Sequence, residues 1–166
     1  DSRAAAGTMV LLIRRAQALM EAAGDDGDFD ALCQQLHRYQ ATLRTCFTLE
    51  NFDNLIKNGR MRPIVGTLLR SLGIHIIADA TAEGTIHVAD KARGVGKTYR
   101  AITALMKASK DCTDAEVVIS HCENLEGAMG MKRQILADLP VKQVDLLSCR
   151  GLTSFYAMEK GLIVGY

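Results

Sequence analysis

"KARGVGKTYR", residues 91–100, decides how the middle of the chain is folded. Its ending, Gly96-Lys97-Thr98, matches the end of the phosphate-cradling pattern G-x-x-x-x-G-K-[ST]. That pattern needs a first glycine at residue 91, which is lysine, and Gly94 stands three residues too late. Without two bracketing glycines the backbone does not turn several N–H groups toward one phosphate. Two readings remain. In one, a strand leaves at Arg93-Gly94 and a helix opens at Val95. In the other, the loop from Lys91 to Thr98 is a degenerate anion site fed by Lys91, Arg93 and Lys97.

The flanks favour the strand–helix reading. After Gly94, Val95, Tyr99, Ile102, Leu105 and Met106 recur at helical spacing, with Lys97 and Arg100 off that stripe. Before it, "IHIIADATAEGTIHVADKA" reads as two strands joined around Glu83-Gly84, a hairpin signal. His75 and His87 are expected to lie near each other across it, as polar-face strand residues. Downstream, "AEVVISH" is apolar on both faces and reads as a central strand. Asn124 is placed to cap a helix carrying Leu125, Ala128, Met129, Ile135, Leu136 and Leu139, which Pro140 ends. "QVDLLS" is a further strand, residues 152–159 a short helix, and "GLIVGY" a last strand. Strands alternating with helices predict right-handed crossovers and parallel pairings. The hairpin makes the whole sheet mixed.

Upstream, Met9, Leu12, Ile13, Ala16, Leu19, Met20 and Ala23 predict an opening helix with Thr8 as its cap. Asp28 caps a second, with a stripe of Phe29, Leu32, Cys33, Leu36, Tyr39 and Leu43. "TCFTLE" is β-rich, residues 51–57 are helical, and Asn58-Gly59 suits a left-handed helix terminus. Pro63 opens another helix with Ile64, Val65, Leu68, Leu69 and Leu72 on its inner side. The expected fold is a single α/β domain over residues 1–166: a helical segment, 1–44, then a mixed β-sheet with flanking helices, 45–166.

Bulk properties narrow the function. The 166 residues are 48% hydrophobic with a net charge of +1, which favours a packed core and argues against a nucleic-acid binder. The five cysteines form no C-x-x-C pair and indicate neither a disulfide framework nor a zinc knuckle. His121 beside Cys122 projects to the opposite strand face, so no metal site is indicated. Reduced thiols fit a cytoplasmic protein. No apolar run approaches the ~20 residues of a membrane span. No catalytic triad, dinucleotide fingerprint or cofactor motif appears.

Four stretches in order resemble the DegV family of bacterial fatty-acid-binding proteins: "FTLENFDNLIKNGRM", "EGTIHVADKARGVGKTYRAI", "VVISHCENLEGA" and "GLTSFYAMEKGLIVGY". The first is the most specific, a strand, the "DNL" helix and a Lys-Asn-Gly-Arg turn. The resemblance corresponds to the latter part of a DegV protein. It implies a lipid carrier rather than an enzyme, which holds a long-chain fatty acid for a separate fatty acid kinase. It also implies an N-terminal domain, outside these residues, that supplies the hydroxyls gripping the carboxylate. Carried over from the matched turns are Arg60, as the headgroup-region arginine, and Arg93. Without the resemblance, Arg60 is a cation at a helix C-terminus, favourable by about 0.3–1 kcal/mol. The chain departs from the family where many members carry His-x-Gly-Pro-Gly. Here "CRGLTSFYA" places Arg150, Gly151 and Thr153 instead. Two further readings stand beside the carrier: a nucleotide- or phosphate-binding transferase fragment using the Lys91 to Thr98 loop, and a non-catalytic scaffold domain.

Overall fold

A computed structural model describes residues 1–61, 73–81 and 85–166. The helix expected after Pro63 and the turn at Glu83-Gly84 lie outside the described residues. In chain order the elements are α1 (Gly7–Ala23), α2 (Phe29–Thr42), β1 (Thr45–Leu49), α3 (Asp53–Lys57), β2 (Ile74–Ala80) and β3 (Ile86–Arg93). They continue as α4 (Val95–Ser109), β4 (Glu116–His121), α5 (Leu125–Asp138), β5 (Gln143–Ser148), α6 (Gly151–Ala157) and β6 (Leu162–Gly165).

The six strands form one mixed sheet in the order β3-β2-β1-β6-β4-β5. Only β4 and β5 pair in parallel, and β6 runs antiparallel to both its neighbours, β1 and β4. The expected series of parallel pairings is therefore corrected to a single one. After α6 the chain enters the gap beside β1, so β6 points against β4 rather than with it. The hairpin reading holds, with β2 and β3 antiparallel and a register shift between Ile77 and Ala78. That register sets His75 opposite Ala92 and His87 opposite Asp79. The expected histidine pairing is thus wrong, and His87 Nδ1 meets Asp79 Oδ1 at 3.0 Å instead.

Two cores lie on opposite faces of the sheet. On the first face α4 and α5 cover the strands, with Ile102 and Met106 from one helix and Ala128, Met131 and Ile135 from the other. They meet Cys46, Ile77, Val117, Ile119 and Val164, and none of these ten side chains is solvent-exposed. On the second face, α1 packs over β4 and β6. The neighbouring cluster there unites Phe47, Leu49, Phe52, Leu55, Met61, Ile76, Ala78 and Ala157. Strand alternation explains the split: Cys46 faces one core, Phe47 the other.

Helix ends behave as the local chemistry dictates, with one correction. Asp28 Oδ1 accepts from the N–H groups of Asp30 and Ala31, and Asn124 Oδ1 from that of Gly127. Thr8 is no cap. α1 begins one residue earlier, and the buried Thr8 hydroxyl bonds that of Thr45 on β1. The apolar stripes are also shifted. Leu11 and Met131 are buried where no expectation placed them, while Ile13, Met20, Leu125 and Leu136 are exposed. None of α2 is buried, and Phe29 is 75% exposed.

Candidate functional site

The first expected site residue ends a tightly closed turn. At the end of α3, Gly59 adopts φ +67°, a conformation glycine takes without cost. Its N–H donates to Ile56 O and that of Arg60 to Leu55 O, while Asn58 Nδ2 donates to Asn54 O. These bonds occupy the last carbonyls of the helix as a Schellman motif does. The Arg60 guanidinium is therefore not needed as a cap and stands exposed.

Three segments matched by the resemblance meet on the second face. Asn54 Nδ2 donates to Phe155 O at 2.6 Å, tying α3 to α6 and so to the Arg150–Gly151–Thr153 neighbourhood. Cys122 and Cys149 flank this region, packed against the Phe47 cluster. Burial, and secondarily the neighbouring Cys122, push the Cys149 thiol up to about 11. Leu152 and Phe155 on α6 are exposed, leaving an apolar rim. Arg93 ends β3 opposite Ile74 and is exposed. It alternates with Ala92 of the first core, which puts it on the second face.

The stretch from Lys91 to Thr98 contains no cradle. Lys91 is a ladder residue opposite Ile76, Gly94 turns the chain at φ +84°, and Val95 already starts α4. The strand–helix reading is the observed one.

A separate cleft of about 380 Å³ opens on the first face, at the sheet end where β1 finishes and β2 and β6 begin. Its floor includes Thr48, His75 and Leu162, and its walls are the first turns of α4 and α5. The Tyr99 ring lies against Gly130, where an added Cβ would come within 2.8 Å of it, and the phenol donates to Gly127 O. Neither Arg60 nor Arg93 lines this cleft. No run of residues announces it, because its parts come from five elements. His121 is buried at the end of β4, and its Nδ1 accepts from Asn124 N–H at 3.4 Å. Among the described residues no group of three or more metal-ligating side chains occurs, and no helix is long and apolar enough to cross a membrane.

This arrangement, a mixed six-stranded sheet with helices on both faces, is that of a known class. The profile described as "uncharacterised protein, DegV family" matches residues 1–162, and the chain belongs to that family. It is 31% identical to a DegV domain-containing protein of Streptococcus gordonii over the whole chain, and 32% identical to one of Streptococcus pneumoniae. It spans 58% of the length of each. Among solved structures it superposes on a DegV family protein of Eubacterium eligens loaded with heptadecanoic acid. That match has a TM-score of 0.91 and 25% identity, over 99% of this chain and 58% of that one. The Streptococcus pneumoniae Fatty Acid Kinase (Fak) B3 protein loaded with linoleic acid matches with a TM-score of 0.88 and 30% identity. It is covered to 58% by the whole of this chain.

Proposed function

We propose that this chain is the acyl-holding part of a non-catalytic fatty-acid carrier of the cytoplasm, which delivers its ligand to a fatty acid kinase. The observation that carries the reading is the agreement of the fold over 99% of the chain with a relative loaded with heptadecanoic acid. The second face supports it chemically. An acyl chain gains about 0.8 kcal/mol for each methylene taken from water. The exposed Leu152 and Phe155, beside the buried Phe47–Ile76 cluster, offer such a surface.

In this reading Arg60 and Arg93 face the anionic headgroup, and Arg150 and Thr153 take the place of the histidine segment seen in many family members. The remaining carboxylate donors come from the family's N-terminal domain, since an ionised carboxylate needs hydrogen bonds to replace lost water. The test is mass spectrometry of the natively purified protein containing this domain, followed by titration with a fluorescent fatty acid. A co-purifying fatty acid and saturable, stoichiometric binding are expected. Absence of both would sink the carrier reading.

A further inference from the structure

The acyl reading assigns no role to the cysteines, yet two of them stand side by side. β4 and β5 run parallel with His121 opposite Ser148. The ladder continues one rung further, because Cys149 N–H donates to His121 O at 2.7 Å. Cys122 therefore stands opposite Cys149. The other side of Cys122 is fixed as well, its N–H donating to Gly161 O and its carbonyl accepting from Lys160 N–H. Alternation turns Val117 and Ile119 of β4, and Val144 and Leu146 of β5, toward the first core. Both cysteines point the other way and pack against the Phe47 cluster. Opposed residues on neighbouring strands lie about 4.7–4.9 Å apart, inside the roughly 4.4–6.8 Å between Cα atoms that a disulfide spans.

Position and chemistry single this pair out. All five cysteines are free thiols. Cys46 and Cys112 are sealed in the first core, and Cys33 lies on α2. Cys122 and Cys149 are half-buried, so a small reagent reaches them. Their thiols also act on each other: after burial, Cys122 is the second cause that raises Cys149. A strongly oxidising disulfide owes that character to a stabilised reduced form. Here Cys149 is held protonated, so the reduced pair gains no such stabilisation and the oxidised form is accessible. The protonated Cys149 also leaves the first attack on a reagent to Cys122.

We propose that Cys122 and Cys149 form a redox modification site, closing to a reversible disulfide with a low-molecular-weight disulfide as oxidant and so clamping the strand ends at the entrance to α6. The Cys122 thiolate attacks one sulfur of the reagent, whose S–S bond breaks and expels a thiolate. The Cys149 thiolate then attacks Cys122 Sγ in the mixed disulfide and expels the second. Two electrons pass from protein to reagent, and the two cysteine protons end on the two reagent thiols. The new bond ties β4 to the residue before Arg150, so it restrains the segment of Arg150 and Thr153. None of this depends on the carrier reading.

The experiment equilibrates the protein containing this domain with mixtures of reduced and oxidised glutathione, traps free thiols with iodoacetamide and maps the peptides by mass spectrometry. A linked Cys122–Cys149 peptide is expected, with loss of labelling at both positions, recovery of labelling after dithiothreitol, and slower hydrogen exchange of the α6 amides while the link is present. Cys149→Ser should leave a glutathione adduct on Cys122 and no linked peptide. A link that uses another cysteine, or adducts that never close even in excess oxidised glutathione, would overturn the site. Unchanged α6 exchange in the linked protein would overturn the clamp. Should the variant not fold, the peptide map of the parent decides alone, because absence of the link there is sufficient to reject the proposal.

Discussion

The two faces of the sheet are built to different standards. The first is closed by helices of fifteen and fourteen residues whose inner side chains are wholly removed from water. The second, beside α1, shows among the described residues α3 of five residues and α6 of seven. A short helix contributes few buried side chains and little intrinsic stability of its own. The difference teaches where rigidity and where adaptability reside. The α4/α5 layer holds its face with long buried helices, and the α3/α6 layer meets its face with short ones.

The largest effect is expected from the closed face. Ile135→Ala removes a fully buried side chain from between α5 and the sheet and should cost about 2–5 kcal/mol in urea unfolding. Leu55→Ala on α3 should cost less in the ligand-free protein. Equal losses would break the contrast between the faces.

Next in size is Arg60→Ala in the protein that includes the family's N-terminal domain. Acyl binding should weaken by about 1.5–3 kcal/mol, the range for a charge-assisted hydrogen bond. The melting temperature should hardly move, because backbone N–H groups already occupy the carbonyls at the end of α3. Unchanged fatty-acid affinity with a lowered melting temperature would return Arg60 to a purely structural role.

A smaller effect is expected at Gly130. Gly130→Ala should push the Tyr99 ring away and break its bond to Gly127 O, at about 0.5–1.5 kcal/mol. Thermal unfolding identical to the parent would mean that the ring relaxes freely.

The smallest effect concerns pH. Burial raises the Cys149 thiol to about 11, so it is protonated at neutral pH and a poor nucleophile. Its alkylation should accelerate about tenfold per pH unit toward that value, following the thiolate fraction. The folded value lies above the ordinary thiol value, so its contribution to stability is complete below about pH 9 and declines as pH rises toward 11. A pH-independent labelling rate above pH 9 would contradict a buried thiol.

Much of this contrast was legible from residues alone. The apolar runs marked all six strands, and "QVDLLS" matches β5 residue for residue. The Asp28 and Asn124 caps were readable because capping is a contact between close neighbours in sequence. Thr8 misled because a threonine before an apolar stripe looks the same whether it bonds its own helix or a distant Thr45. The place of β6 was illegible for a different reason. Four apolar residues state that a strand exists, but not between which partners it fits or in which direction. The histidine pairing failed because it assumed a register centred near residue 81, whereas the ladder is centred near residue 83 and sets His75 opposite Ala92.

The position of β6 has a kinetic consequence. β1, β2 and β3 form one antiparallel group, β4 and β5 a parallel pair, and among the described residues β6 alone is bonded to both. It is also the last of the six to leave the ribosome. Two part-sheets with open edges must therefore wait for β6 before they become one. Edge-to-edge association with another molecule competes during that interval. Pairings so distant in sequence also slow the closing step. Refolding should accordingly show a late phase in which the hairpin is already protected from hydrogen exchange while the β1 and β4 amides that bond β6 are not.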